Sequence, residues 1–349
     1  MKRVIALVVV LGLAATAYFF GKPLYDLHYS KINLSQDSLA FYIHSGSGMD
    51  ELGLLLEEQD VIAKDKFLKF AEKLEFDDDN VEPGKYWLTK GMTVKSMIYG
   101  FKDGNQEVND IRITFSNCKT IEEMACMVGP SIEADSAAIV NYLNDPKTIE
   151  KYGFRNETII AMFLPDTYEI GEWDITAEEF VQFMADRYKE FWNDEGADRK
   201  AKLAKLGLQQ SEVATLATIV MAEQGRFDQE WRTIAGLYLN RLHQGIKLQS
   251  DPTAKYCWGN QLDSVQRILY EHLEKDCPYN TYIHAGLPPG PLRMPSKKAI
   301  DAVLNAEDHN YIYMCARPDN SGLHNFAETL AQHNENARKF RKWMNERGL

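Results

Sequence analysis

The chain contains 349 residues, of which 45% are hydrophobic and 26% are charged. This composition is typical of a folded protein with one to three domains, and it excludes a globally disordered chain, a collagen and a small disulfide-stapled domain. The 51 acidic residues outnumber the 39 basic ones, which gives a formal net charge of -12. Because a nucleic-acid-binding protein needs a basic face, we expect no nucleic-acid partner.

The chain begins with an uncharged apolar stretch at residues 4–20, directly after two basic residues. This length is close to the minimum for a helix that crosses a bilayer, and the basic residues favour an N-terminus that stays in the cytoplasm. The sequence therefore predicts a transmembrane anchor over residues 1–21 and a polar linker over residues 22–39. A cleaved signal peptide is the alternative, because residues 15–17 (ATA) fit the small-residue cleavage pattern.

Residues 40–115 predict a small module that contains both strands and helices. Aromatic or alternating runs predict strands at 41–43 and 86–88, and apolar residues at helical spacing predict helices around 52–59, 64–74 and 94–98. The alternating run at 111–115 predicts a strand with which the next segment starts. The module is expected to hold its own small core.

The remaining chain divides into two regions. Residues 116–208 predict a mostly helical connecting region. Residues 209–349 predict a larger domain with two helices, a loop rich in Pro and Gly, a helix from Ser296, a strand at 311–315 and a final helix at 327–346. Because helices and strands are mixed without regular alternation, the predicted fold class is α+β and not a doubly wound sheet.

Glu223 is the most informative candidate for chemistry. It lies on the apolar stripe of a helix that is predicted to begin with Ser211 as N-cap and to end before Gly225. Apolar surroundings and the negative end of the helix dipole both raise the pKa of a carboxyl group. A carboxyl that stays protonated near neutral pH can act as a general acid. The alternative is a glutamate that simply reaches water at the helix end.

Polar and aromatic side chains follow in the next segments. Asn240 belongs to a helix predicted from about Asp228 to Gly245, and Gln249 and Asp251 lie in an extended segment that runs into a turn. The segments 279–282 (YNTY) and 286–291 (GLPPGP) combine aromatic rings, amides and stiff backbone. Such a mixture suits a carbohydrate-binding cleft, although solvated or packed loops have a similar composition.

The cysteines and the search for metal-binding motifs give little information about the function. Five cysteines are spread through the chain, at 118, 126, 257, 277 and 315, and none forms a C-x-x-C spacing. Phosphate-binding glycine loops, zinc spacings and serine-nucleophile motifs are absent from the sequence, so we expect no metal and no cofactor. Buried free thiols are the favoured interpretation, and a pairing of Cys257 with Cys277 stays open because sequence does not determine connectivity.

The ordered set of motifs resembles the YceG-like, or MltG, family of endolytic murein transglycosylases. The motifs that carry the resemblance are 163–168 (FLPDTY), 217–223 (ATIVMAE), 240–242 (NRL), 249–256 (QSDPTAKY), 279–282 (YNTY), 286–291 (GLPPGP), 324–326 (HNF) and 333–334 (HN). Their order and rough spacing agree over about residues 40–345. Met221 stands where many members of the family have a second acidic residue, so Glu223 is the one acid in this helical motif.

The resemblance implies a function and a set of residue roles. Residues 40–115 would be a LysM-like module and residues 209–349 the catalytic domain. Glu223 would protonate the bond between N-acetylmuramic acid and N-acetylglucosamine and then act as base, which leaves a 1,6-anhydro end on the muramic acid. The residues expected to bind sugar or shape the cleft are Asn240, Gln249, Asp251, Tyr256, Asn280 and Tyr282.

The expected setting follows from the anchor and the resemblance. The protein would be a single-pass protein of the cytoplasmic (inner) membrane with its catalytic part outside the cytoplasm. Its expected partners are peptidoglycan glycan strands, the inner membrane and, as candidates, cell-wall synthesis proteins. Two alternatives remain, a hydrolytic muramidase that uses Glu223 and Asp251 with water, and a membrane-anchored peptidoglycan-binding scaffold without activity.

Overall fold

A computed structural model describes residues 18, 21–23, 25–104, 111–116, 118–262 and 269–347. The predicted anchor over residues 1–21 lies almost entirely outside these residues. In the described part of the chain, no helix is both long enough and apolar enough to cross a membrane. By its internal contacts the chain divides into an N-terminal unit (1–113, 130–134 and 169–176) and a C-terminal unit (114–129, 135–168 and 177–349).

The N-terminal unit is built on a two-stranded antiparallel sheet. Strand β1 (Ser38–Ile43) pairs with β2 (Gly84–Thr89), and Phe41 lies opposite Tyr86. Helices α1 (Met49–Glu58) and α2 (Lys64–Lys73) and a short 3-10 helix (Asp78–Asn80) connect the two strands, and α3 (Val94–Lys102) follows them. The elements from β1 to α3 follow the predicted order, whereas the strand predicted at 111–115 belongs to a different two-stranded sheet.

Alternation along both strands separates a buried face from an exposed one. The buried side chains Phe41 and Leu88 belong to one core with Leu52 of α1 and Phe67 of α2. Tyr42 and Trp87 are on the other face, where 37% and 41% of their surfaces are exposed. The N-terminal unit therefore has its own core and an outward aromatic surface.

The C-terminal unit contains most of the helices and supplies the site. Strands β3 (Arg112–Phe115) and β4 (Asp166–Glu169) form a two-stranded sheet. The helices up to the site are α4 (Ile121–Val128), α5 (Ser136–Asn144), α6 (Pro146–Lys151), α7 (Ala177–Asn193) and α8 (Arg199–Leu206). The site helices are α9 (Gln210–Glu223), α10 (Trp231–His243) and α11 (Asp251–Tyr256).

After the site helices the chain forms two short helices, a β-hairpin and a final helix. These elements are α12 (Tyr270–Leu273), α13 (Lys297–Leu304), β5 (Tyr313–Ala316), β6 (His324–Ala327) and α14 (Leu330–Asn345). Short 3-10 helices lie at Gly129–Ser131, Ile159–Met162, Glu195–Ala197, Asp228–Glu230 and Gly259–Leu262. The mixture of helices and small antiparallel sheets is an α+β fold, as predicted.

Helix α9 lies at the centre of this unit. Every residue from Val213 to Val220 is buried, and α9 packs against α13 and α10. Helix α9 is therefore buried on all sides, as expected of a central helix. Its first turn is closed by a capping box, in which the Glu212 carboxylate accepts a 2.7 Å hydrogen bond from the Gln209 backbone N–H. The predicted N-cap, Ser211, is wrong because Gln209 takes that place.

Two further differences concern the end of the chain. The predicted strand at 311–315 begins only at Tyr313, and its partner β6 was not predicted. The four residues of β6 mix His, Asn, Phe and Ala and are too short to show an alternation. The final helix begins at Leu330 and not at residue 327, because Thr329 caps it by accepting a hydrogen bond from the Gln332 backbone N–H.

Cys257 and Cys277 form a disulfide with their Cα atoms 6.0 Å apart. The interpretation of these two residues as free thiols is therefore wrong. Cys118, Cys126 and Cys315 are free. The disulfide ties the end of α11 to the segment that precedes Asn280.

Candidate active site

Glu223 is the last residue of α9 and points into a cleft of the C-terminal unit. Two hydroxyl groups donate to the same carboxylate oxygen, Oε1: the Tyr238 phenol at 2.7 Å and the Ser250 hydroxyl. The other oxygen, Oε2, receives no hydrogen bond from the described residues. The protein thus holds one oxygen of this carboxyl through two donors.

The environment favours the protonated form of this carboxyl. Burial is the largest cause that raises the pKa of Glu223, and the negative charge of Asp251 acts in the same direction. The hydrogen bonds from Ser250 and Tyr238 oppose this shift without reversing it. Burial and the adjacent carboxylate also raise the pKa of Tyr238, which keeps its phenol protonated and able to donate.

Ser250 is held next to the Glu223 carboxyl by a buried network of hydrogen bonds. It is fully buried, and its backbone N–H donates to the Thr281 hydroxyl at 3.0 Å. The Thr253 hydroxyl accepts a 3.2 Å hydrogen bond from the Thr281 backbone N–H and lies 2.7 Å from the Thr281 hydroxyl. This buried network joins the start of α11 to the segment around residue 281 and holds the backbone of Ser250, whose hydroxyl donates to Glu223.

A buried acid and an imidazole lie beside the end of α9. Glu230 accepts hydrogen bonds from the His324 backbone N–H at 2.9 Å and from the Gln224 amide at 2.9 Å, and its carboxylate lies 2.8 Å from His324 Nδ1. Only 6% of the Glu230 surface is exposed. These bonds orient the His324 ring, whose charge when protonated would lower the pKa of Glu223.

Arg241 and Asn240 connect α10 with the surrounding backbone. The Arg241 guanidinium donates to the carbonyls of Ile312 and Leu248, at 2.6 and 2.8 Å, and to the Gln249 side chain at 3.3 Å. The Asn240 amide donates to the carbonyls of His309 and Tyr311, at 2.6 and 3.1 Å. Arg241 therefore supports the cleft wall, while Asn240 holds the segment that leads into β5.

The remaining predicted site residues differ in how deeply they are buried. Asp251 is exposed and accepts a 2.6 Å hydrogen bond from the Tyr282 phenol. Tyr256 is 41% exposed, and its ring centroid lies 4.5 Å from that of Tyr279. Asn280 is fully buried, and its amide donates to two backbone carbonyls at 2.9 Å. Sugar binding by Asn280 stays a prediction, and its bonds favour an indirect role through the shape of the loop.

These contacts surround a cavity that we call the Glu223 cleft, with a volume of about 220 Å³. It is lined by Glu223, Leu237, Tyr238, Arg241, Leu248, Gln249, Asp251, Tyr282, Met314, Cys315, Ala316 and His324. Of the predicted site residues, the structure thus places Glu223, Gln249, Asp251 and Tyr282 in one cleft. Asn240, Tyr256 and Asn280 do not line it.

Four residues at this site were not singled out by the sequence analysis. Ser250 and His324 stand inside motifs that carry the family resemblance, and Tyr238 lies in the helix predicted from about Asp228 to Gly245, but none of the three was given a role. Glu230 and His324 are 94 positions apart, so no local spacing signals their contact. In the described residues, no group of three or more His, Cys, Asp or Glu side chains could hold a metal ion.

Comparison with known proteins gives consistent matches. The sequence profile of the YceG-like family matches residues 41–339. The "Endolytic murein transglycosylase" of Bacillus subtilis (strain 168) is 26% identical over 348 residues, which cover 95% of this chain and 92% of that protein. The protein of the same name from Streptococcus pneumoniae serotype 2 (strain D39) is 26% identical over 301 residues, and the match spans 78% of this chain but only about half of that relative, 53%.

A solved structure agrees with the fold. The crystal structure of a YceG-like protein from Listeria monocytogenes superposes with a TM-score of 0.53 at 24% sequence identity. The match covers 86% of this chain and 99% of the Listeria chain. Because the family profile matches most of the sequence, this chain belongs to the YceG-like family.

Proposed function

We propose that this protein is a membrane-anchored endolytic lytic transglycosylase of peptidoglycan. Its substrate would be the β-1,4 bond between N-acetylmuramic acid and N-acetylglucosamine in a glycan strand. The observation that carries the proposal is Glu223, an acid in a polar cleft whose burial raises its pKa and whose one oxygen is held by two hydroxyl donors. Relatives named endolytic murein transglycosylases support the choice of substrate.

The proposed reaction needs one carboxyl group. Protonated Glu223 gives its proton from Oε2 to the glycosidic oxygen, and the bond between that oxygen and C1 of the muramic acid breaks. The 6-hydroxyl of the same sugar then bonds to C1 and returns its proton to Glu223, which restores the acid. Because this nucleophile is tethered to the substrate, proximity lowers the barrier and a second carboxylate is not required to activate water.

The protein contributes orientation as well as acidity. Tyr238 and Ser250 hold the carboxyl in one rotation and stabilise the anion that exists between the two proton transfers. Gln249, Asp251 and Tyr282 line the same cleft and are proposed to bind sugar hydroxyl and acetamide groups. Tyr256 offers an exposed ring beside Tyr279 for the apolar face of a sugar.

A hydrolytic muramidase is the second candidate. The observation in its favour is that Asp251 lines the same cleft as Glu223 and influences its pKa. In that reaction Asp251 would activate a water or stabilise the positive charge at C1. Its hydrogen bond from Tyr282 holds it as an acceptor, which is compatible with either role.

The proposed setting is the outer face of the cytoplasmic membrane. Residues 1–21 would anchor the chain with the N-terminus inside, and residues 22–39 would link the anchor to a LysM-like module at residues 40–115. The exposed Tyr42 and Trp87 give this module an aromatic surface suited to a glycan strand. Cell-wall synthesis proteins remain candidate partners.

The direct test is digestion of purified peptidoglycan by the wild type and by Glu223→Gln. We expect the variant to stay folded, because glutamine retains the oxygen that accepts from Tyr238 and Ser250, and to lose cleavage by about 100-fold or more. Glu122→Gln, on an exposed helix turn, serves as a matched control with wild-type cleavage. Undiminished cleavage by Glu223→Gln would remove Glu223 from the mechanism and with it the proposal.

A further inference from the structure

A second cavity of the C-terminal unit lies between the β5–β6 hairpin and the first turns of α14. We call it the distal cavity; its volume is about 480 Å³ and its lining is Tyr311, Phe326, Glu328, Gln332, Glu335 and Asn336. The rings of Tyr311 and Phe326 stack with their centroids 5.7 Å apart and their planes 25° apart. None of these six residues lines the Glu223 cleft.

The distal cavity continues the wall of the Glu223 cleft. In the β5–β6 register Ala316 lies opposite His324 and Met314 lies opposite Phe326, so these four side chains share one face of the hairpin. Three of them, Met314, Ala316 and His324, line the Glu223 cleft. Phe326 is the fourth, two residues or about 7 Å along the strand from His324, with the ring centroids 6.3 Å apart.

The aromatic wall is held by the same helix that supports the acid. Asn240 of α10 donates to the Tyr311 carbonyl, and the Tyr311 backbone N–H donates to His309 Nδ1 at 3.1 Å. Tyr238, two residues before Asn240, donates to Glu223. The Tyr311 backbone is therefore tied to the helix that holds the Glu223 carboxyl, and its ring stacks on Phe326.

The polar lining favours an uncharged ligand that carries hydroxyl and amide groups. Glu335 is already paired with Arg338 and Lys339, at 2.8 and 3.5 Å. The Gln332 side-chain oxygen accepts from the backbone N–H groups of residues 328 and 329, at 3.1 and 3.3 Å, which leaves its NH₂ group to donate. Flat rings edged by two amides and two carboxylates offer stacking to one face of a sugar and hydrogen bonds to its edge, and the two carboxylates disfavour an anionic ligand.

We propose that the distal cavity is an additional saccharide subsite, which binds an N-acetylglucosamine unit of the same glycan strand beyond the bond that Glu223 cleaves. This proposal rests on the proposed function, because it assumes that a glycan strand occupies the Glu223 cleft. The subsite makes the enzyme prefer strands long enough to reach Tyr311 and Phe326. Its ring stacking adds affinity without contacting the reacting atoms.

The test measures binding of peptide-free GlcNAc–MurNAc oligosaccharides to the full chain carrying Glu223→Gln. Oligosaccharides of one and of four disaccharide units are titrated by calorimetry. We expect the long probe to bind more tightly than the short one. Phe326→Ala should lower the affinity for the long probe by about tenfold and leave the affinity for the short probe unchanged. Phe326→Trp should retain the affinity, and Tyr270→Ala, which removes a tyrosine that is 80% exposed outside the cavity, should change neither value.

The outcomes separate this subsite from the proposed function. If Phe326→Ala binds the long probe as tightly as the parent chain does, the subsite is wrong, whatever the activity of the wild type. If Phe326→Ala weakens both probes equally, the residue supports the cleft as a whole and the subsite is again wrong. If the wild type releases no glycan fragments and neither probe binds, the proposed function itself fails.

Discussion

Both hydrogen bonds that the described residues give to Glu223 end on one of its two oxygens. This arrangement gives the carboxyl a fixed direction, and in the proposed mechanism the other oxygen transfers the proton. Burial raises the pKa of Glu223, whereas the two hydroxyl donors lower it. The pKa of the acid is therefore set by opposing contributions that can be removed one at a time.

Removing Ser250 should raise the pKa of Glu223 further. Ser250→Ala deletes a hydrogen bond that favours the carboxylate, so the alkaline limb of kcat/KM, where the acid loses its proton, should move to higher pH. The value of kcat should fall because the anionic intermediate loses a donor. Tyr256→Phe is the control, since its hydroxyl does not line the Glu223 cleft and the limb should stay in place. A shift of the Ser250→Ala limb to lower pH would contradict this account.

Glu223 should also affect stability in a pH-dependent way. The ordinary pKa of a glutamate is 4.5, and the folded protein raises it, so the folded state keeps a proton that the unfolded chain releases. Stability should therefore fall as pH rises from about 4.5 through the folded pKa and should change no further above it. Glu223→Gln removes this pH-dependent loss of stability. In urea unfolding, the free energy of unfolding of the variant relative to that of the wild type should therefore increase as pH rises across that range. A difference that does not vary with pH would be inconsistent with the raised pKa.

At the scale of elements, α10 is held close to the segment before β5. A side chain at Gly236 would place its Cβ 2.4 Å from the Glu307 carbonyl oxygen, which is closer than atoms can approach. Next to this point Glu307 N–H donates to the Arg232 carbonyl at 3.1 Å, and Asn240 holds His309 and Tyr311. This contact positions the strand that forms one wall of the Glu223 cleft.

Gly236→Ala should therefore destabilise the protein although alanine is the better helix former. We expect a loss of about 1–3 kcal/mol from overpacking, measured as a lower urea midpoint, together with weaker catalysis as the cleft wall moves. Gly100→Ala in α3 is the matched control, because a Cβ there meets no atom within 4 Å. That substitution should leave stability unchanged or raise it by about 0.5–1 kcal/mol. Equal effects of the two variants on stability would show that the close approach at Gly236 does not constrain this position.

Local patterns predicted elements well where periodicity was strong. The helices at Lys64–Lys73, Gln210–Glu223 and Trp231–His243 and the strand pair of the N-terminal unit follow the apolar spacing. The short strand at His324–Ala327 could not be predicted, because four mixed residues carry no period. The N-cap at Gln209 was missed because a glutamine rarely fills that position.

The site could be predicted only in part, because some of its contacts join residues that are far apart in the chain. Glu223 is visible as a polar residue on an apolar helical stripe, and Gln249 and Asp251 stand in a recognised motif. The contact of Glu230 with His324 joins residues far apart in the chain, and only folding brings them together. Long-range polar contacts of this kind leave no spacing in the sequence that could be read in advance.

For the whole molecule, the proposed anchor determines which glycan strands the cleft can reach. If residues 1–21 stay attached, the catalytic part can act only on strands near the membrane, which suits the trimming of newly made chains. We expect N-terminal sequencing of the membrane-bound protein to start at residue 1 or 2, and deletion of residues 1–21 to release the protein from the membrane fraction. A mature chain that starts at Tyr18 would instead identify residues 1–17 as a cleaved signal peptide.

The mass of the reaction products tests the central claim most directly. Purified peptidoglycan is digested by the full chain, with Glu223→Gln in parallel, and the released fragments are measured by mass spectrometry. The account predicts 1,6-anhydro-muramyl ends, each one water lighter than a reducing end, with the wild type and not with Glu223→Gln. Reducing ends alone would contradict the transglycosylase reaction and would favour hydrolysis by Glu223 and Asp251.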